Sequence, residues 1–260
     1  MKRLLPVLPA LCALAAAAYA QFTPPMLAES DLTTVDKGTF LIYQGDQLLG
    51  TEVWAVESSG DSLLVKSRSF QVIGADTVRK DVAQVLGAEY GLRNYMSKQV
   101  YQGHTLSRAL ILGDTSFMAY RQYDLRGAGD QLVLPPGRMF VMDPKAFICF
   151  DLICRSLKNA TFEQRPILLL VLGPRDSVLQ ATATDRGIDT VRWGGREVAS
   201  HRYRVGDART SFDLWALPSG GLLNLEEPHS GLRIERQAEP LKRRAAPAPR
   251  PKPRPRPHAR

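Results

Sequence analysis

The chain has 260 residues, with 34 Lys and Arg against 26 Asp and Glu and a formal net charge of +8. Hydrophobic content of 44% and charged content of 23% are ordinary globular values and exclude wholesale disorder. The charge is uneven: residues 237–260 hold eight Lys/Arg and one acid, Glu239, for +7, Lys2 and Arg3 add +2, and residues 21–236 are left at −1. A nucleic-acid-binding body needs a basic patch on folded elements, so no nucleic-acid partner is expected.

At the front, Lys2-Arg3 precede an apolar Leu/Ala-rich run over 4–18 that ends in Ala18-Tyr19-Ala20. This order of basic, apolar and small residues predicts a secretory signal peptide over 1–20, cleaved after Ala20. The run of about 15 residues is shorter than the ~20 needed to span a bilayer. The expectation is therefore an exported protein, periplasmic or secreted, that is not transmembrane once cleaved. Residues 21–37 read as an N-terminal extension.

From residue 38 onward, short β-branched and aromatic runs alternate with turn residues. Segments 38–44 and 47–57 flank Gly45-Asp46, and 62–73 follows Ser59-Gly60-Asp61, a hairpin pattern. Further segments are predicted at 80–87, 92–102, 104–112 and 115–124, then at 167–172, 176–184, 188–193, 196–205, 209–217, 221–226 and 232–236. Spacing of this kind without alternating long helices predicts an all-β fold with one short helix, an antiparallel meander over 38–236 forming a half-barrel or open barrel. Segments 48–56 and 167–172 are apolar on both faces, so something covers both sides of the sheet there. The stretch around 143–158, with Phe147, Ile148, Phe150, Leu152, Ile153 and Leu157, is the expected cover.

Asp143-Pro144 reads as an N-cap and a proline at the first helical position, which predicts a helix over 144–157. Once Cys12 leaves with the signal, Cys149 and Cys154 remain, and two thiols in an oxidising compartment suggest a disulfide. On a regular helix residues five apart lie ~8 Å apart, beyond the ~7 Å limit for a bridge. A disulfide therefore requires that the helix break between them. From 237 to 260 proline alternates with Arg, Lys and Ala, which favours an extended chain and excludes helix and sheet. This tail reads either as a disordered terminus or as a tether to an anionic envelope surface.

The opening hairpin, with Gly38, Phe40, Ile42, Tyr43, Leu49 and Gly50, and the closing run, with Arg202, Tyr203, Val205, Phe212, Leu214, Trp215, Gly221, Leu223 and Glu226, carry a resemblance. They look like a group of exported bacterial proteins of unknown function. The half-barrel of that group is similar to the periplasmic lipoprotein carrier and receptor pair, LolA and LolB. The resemblance covers about 38–236. It implies a half-barrel and an apolar cavity, and it carries over no catalytic residue.

The candidate chemistry is sparse. Gly60-Asp61-Ser62-Leu63 spells the nucleophile block of GDSL-type esterases, but the family's D-x-x-H block is missing. A serine nucleophile needs a histidine within reach, and a hairpin turn is the better reading of this block. His104, His201, His229 and His258 show no metal-ligand spacing. No catalytic residue, metal or cofactor is expected. The residues fit to line a cavity are Trp54, Tyr95, Tyr101, Trp193, His201, Tyr203 and Trp215, although core packing uses the same types. Three functions follow: a non-enzymatic protein holding an apolar or lipid-like ligand or a lipidated partner in a covered sheet, a structural or interaction protein of the envelope with a solid core and a tail tether, or, least favoured, a hydrolase using Ser62.

Overall fold

The computed structural model describes residues 32–113, 116–133, 137–158 and 160–238. The expected signal peptide, most of the N-terminal extension and all but the first two residues of the tail lie outside them. Eight strands come first: β1 (Thr33–Gln44), β2 (Gln47–Ser59), β3 (Ser62–Ile73), β4 (Asp76–Leu86), β5 (Leu92–Tyr101), β6 (His104–Leu112), β7 (Ser116–Tyr123) and β8 (Arg126–Val133). Strand β9 (Met139–Met142) and one α-helix, α1 (Ile148–Leu157), follow. The chain then runs through β10 (Gln164–Val171), β11 (Ser177–Trp193), β12 (Arg196–Gly206), β13 (Ser211–Ala216), β14 (Leu222–Glu227) and β15 (Leu232–Arg236).

All fifteen strands form one open sheet in the order β8-β7-β6-β5-β4-β3-β2-β1-β15-β14-β13-β12-β11-β10-β9. The two ends of the domain meet at its centre, where β1 pairs with β15 from Phe40↔Arg236 to Gln44↔Leu232. Every pairing is antiparallel except β9 with β10. This is the all-β open meander with one helix that the alternating runs imply.

Local chemistry explains the hairpins. Gly45-Asp46 closes β1 to β2 as a two-residue turn, and Gly60 turns β2 into β3 at φ +56°, where a side chain is strained. The structure also corrects several boundaries. β1 begins at Thr33, so residues 33–37 belong to the sheet, pairing from Thr33↔Ser58, and not to the extension. Segments 176–184 and 188–193 are one strand, β11, interrupted by a register shift between Asp185 and Ile188. β8 escapes the pattern because RGAGDQLV has two glycines and few β-formers.

The helix starts at Ile148, with Phe147 at its N-cap and no side-chain cap; Asp143 instead forms a bridge with Ala146. All ten residues of α1 are buried, so the expected cover is present and complete. It packs on β9, β13 and β14, with the Phe150 and Phe212 rings 4.7 Å apart. Each fully buried Leu, Ile or Phe here contributes on the order of 1.5–3 kcal/mol.

Candidate functional site

Register defines what the covered face offers the helix. Glu52, Ser69, Lys80 and Gln99 lie opposite one another across β2, β3, β4 and β5, and the first three are buried. Tyr95 and Gln84 stand on the same face two rows away and are also buried. The polar groups are matched by the segment that enters α1. Lys80 pairs with Asp143, and the Tyr95 hydroxyl donates to the same carboxylate at 2.5 Å. Ser69 Oγ and Gln71 Nε2 donate to the Lys145 carbonyl at 2.5 and 3.0 Å. The Phe147 amide donates to Glu52 Oε2 at 2.6 Å, while Glu52 Oε1 is buried without a partner.

Burial sets the titration of this cluster. It pushes the Glu52 carboxyl up to about 7, offset in part by the neighbouring Ser67 hydroxyl and the Phe147 amide. It pulls the Lys80 ammonium down against the attraction of Asp143, and it drives the Tyr95 phenol well up, with Asp143 adding to the effect.

A second network clamps the C-terminal half of α1. Arg155 Nε donates to Asp151 at 2.5 Å, and its Nη2 donates to Asp36 at 2.5 Å. Arg236 Nη2 donates to Asp36 Oδ1 at 2.7 Å, and the Leu222 amide donates to Asp151 Oδ1 at 2.7 Å. The guanidiniums of Arg236 and Arg155 lie 4.8 and 5.9 Å from the centroid of Trp54. Burial would raise Asp36, but the two arginines hold its carboxyl below the usual range. Both networks fasten the cover; of the second, Trp54 and Arg236 also border an open depression.

The sequence-nominated residues scatter accordingly. Trp54 and Tyr95 sit in the two networks just described. His201 Nε2 is 2.6 Å from Asp185 Oδ1, and its ring stacks on Tyr203 at 4.6 Å. Trp215 Nε1 donates to Asp189 at 2.9 Å beneath Arg202, and Tyr101 ends β5, half-buried. Trp193 Nε1 donates to the Arg236 carbonyl at 2.7 Å. Trp54 and Trp193 line one depression together. Ser62 Oγ accepts from Arg93 Nη1 at 3.0 Å, while His104 and His201 face Asp124 and Asp185. Helix α1 runs unbroken through Cys149 and Cys154, so the condition for a disulfide is not met, and both are buried free thiols. Burial pushes both thiols well up.

An open depression of about 1080 Å³ runs across β1 to β4 and is also lined by Trp193, Gln237 and Ala238. A second one of about 490 Å³ continues from it at Asp81 and Val82 across β5 and β6 to Tyr120. The register places Ala55, Lys66, Ala83, Met96, Ala109 and Tyr120 in one cross-strand row along this course. The row lies on the opposite face from Glu52 and Lys80. Its small side chains make the floor, and Lys37, Lys66, Arg68 and Lys98 stand exposed along it with one acid, Asp81. Arg68 pairs with Asp81 and Lys66 with Glu57; Lys37 and Lys98 have no ion-pair partner among the described residues. Alanines carry no functional signature in a sequence, which is why the floor went unrecognised there.

Among the described residues no helix is long and apolar enough to cross a membrane, and no cluster of three or more His, Cys, Asp or Glu could hold a metal. Fold and site together define the chain as an all-β protein with an open sheet whose one face is covered by its own helix and the segment leading into it, and whose other face carries a cation-lined trough. No family model and no curated protein matches it. Among solved structures, a DUF1089 family protein from Pseudomonas aeruginosa is similar with a TM-score of 0.43 and 12% identity, over 69% of this chain and 90% of that one.

Proposed function

We propose that this chain is an exported, non-enzymatic binding protein of the cell envelope that takes an amphipathic, anionic-headed lipid-like ligand along the outer trough. The observation that carries the proposal is the continuous depression over Ala55, Ala83 and Ala109 with Lys37 and Lys98 unpaired beside it. Small apolar side chains leave room for a hydrocarbon chain, and a few placed cations orient its head. The resemblance to exported proteins with a half-barrel similar to LolA and LolB supports the same reading, with the ligand moved from the face covered by α1 and the segment before it to the open one.

The test is titration of a fluorescent fatty acid with the full chain. Saturable binding is expected, weakened about tenfold or more by Ala83→Trp, which fills the floor. Lys98→Glu is expected to weaken the fatty acid but not an uncharged monoacylglycerol. Absence of saturable binding overturns the proposal. The complete burial of α1 favours a second reading, an interaction protein with a solid core whose basic tail docks on the envelope. That reading predicts surface binding that depends on 239–260 and no ligand in the trough.

A further inference from the structure

An open sheet has two edges, and this one treats them differently. At one edge, β9 is only four residues long, is largely buried and packs on α1 and β5. At the other, β8 is eight residues long and every side chain except the half-buried Leu132 is exposed. Proteins blunt such edges with Lys, Pro, bulges, short strands or a covering element. β8 contains no Lys and no Pro, and its pairing with β7 runs from Ser116↔Val133 to Tyr123↔Arg126 without a register shift. Nothing among the described residues covers it.

The sequence of the edge is self-complementary. Arg126-Gly127-Ala128-Gly129-Asp130 reads basic, small, small, small, acidic. In an antiparallel pair of two copies with the two-fold axis at Ala128, Arg126 of each copy stands directly opposite Asp130 of the other. Gly127 then faces Gly129, and Ala128 faces itself. Residues directly opposite in an antiparallel pair share a face, and opposite charges there are favourable. Neither Arg126 nor Asp130 has an ion-pair partner among the described residues. The same register brings the turn residue Leu125, 96% exposed, beside Gln131 of the second β8, two residues short of Val133, which is 79% exposed. Burying such residues is a further source of stabilisation.

We propose that the protein associates with a second copy of itself through β8, antiparallel about Ala128, joining two fifteen-stranded sheets edge to edge. The contact is isologous, so it closes at a dimer and does not propagate. It involves neither the trough nor the basic tail.

Sedimentation equilibrium of the full chain over a range of concentrations tests it, because the same register fixes the outcome of charge exchange. The weight-average mass is expected to rise towards twice that of the monomer. Arg126→Asp and Asp130→Arg, each placing like charges opposite one another, are expected to shift the chain to monomer at the same concentration. The double variant with both changes restores the pairs and is expected to restore the dimer. All four residues involved in the two pairs are exposed, and circular dichroism of each variant verifies the sheet. A monomer at every concentration, as arises if another segment or another protein covers β8, overturns the proposal. So does a dimer indifferent to the single changes, or a double variant that stays monomeric.

Discussion

At the residue scale, Glu52 is the position where physical chemistry departs furthest from surface behaviour. An acid within the otherwise apolar run of β2 is visible in the sequence, but its consequence depends on what covers it. Fully buried, with one oxygen on the Phe147 amide and the other unpartnered, its carboxyl titrates at about 7 instead of 4.5. Below pH 4.5 the folded and unfolded chains both hold the proton, and burial costs nothing extra. Between about 4.5 and 7 the unfolded chain releases the proton while the folded one keeps it, so stability falls as pH rises and levels off above 7. The full loss is on the order of 3 kcal/mol. Glu52→Gln, which keeps an acceptor for Phe147, is expected to abolish this slope. Urea midpoints of both proteins at pH 5 and pH 8 measure it. Equal pH dependence in the two would show that Glu52 does not titrate in this window.

At the element scale, the strands were legible because alternation and turn chemistry agree, as in the run from 38 to 73. The faces were harder to read. In β4, Lys80, Val82 and Gln84 are buried while Arg79 is exposed, so charge appears on both faces and alternation alone cannot say which is covered. The partner groups, Asp143 and the Lys145 carbonyl, come from more than sixty residues away. The helix start was misread for the same reason: Asp143 looks like a cap but is engaged by Lys80 and Tyr95.

Gly50, visible as part of the opening hairpin pattern, acquires a physical reason in the structure. A Cβ there would lie 2.0 Å from the Phe70 carbonyl oxygen and 2.8 Å from Gln71 Cα, both backbone, so β2 and β3 would have to part. Gly50→Ala is expected to cost roughly 1–3 kcal/mol, as overpacking does. Gly45→Ala in the neighbouring turn meets open space, and only its positive φ opposes the change. Thermal melts of the two variants compare them, and a smaller loss at Gly50 than at Gly45 would contradict the close approach.

At the scale of the whole molecule, the net charge of +8 divides into +2 at the front of the sequence, −1 over residues 21–236 and +7 over residues 237–260. Ala238, the last described residue before the basic, proline-spaced sequence 239–260, lines the trough proposed for the ligand. If the tail brings the protein to an anionic surface and the trough takes the ligand, the two contributions are separable. Each Lys or Arg near an anionic bilayer adds ~1 kcal/mol at most, and salt screens that attraction over a Debye length of about 10 Å at 0.1 M. Removal of 239–260 is therefore expected to abolish sedimentation with phosphatidylglycerol vesicles at low salt, and raised salt should do the same to the full chain. Fatty-acid affinity of the truncated chain should remain within about twofold, because the trough's own cations, Lys37 and Lys98, are untouched. A truncated chain that loses both activities would mean that the tail forms part of the ligand site. Retention of vesicle binding would assign the membrane contact to the sheet face itself.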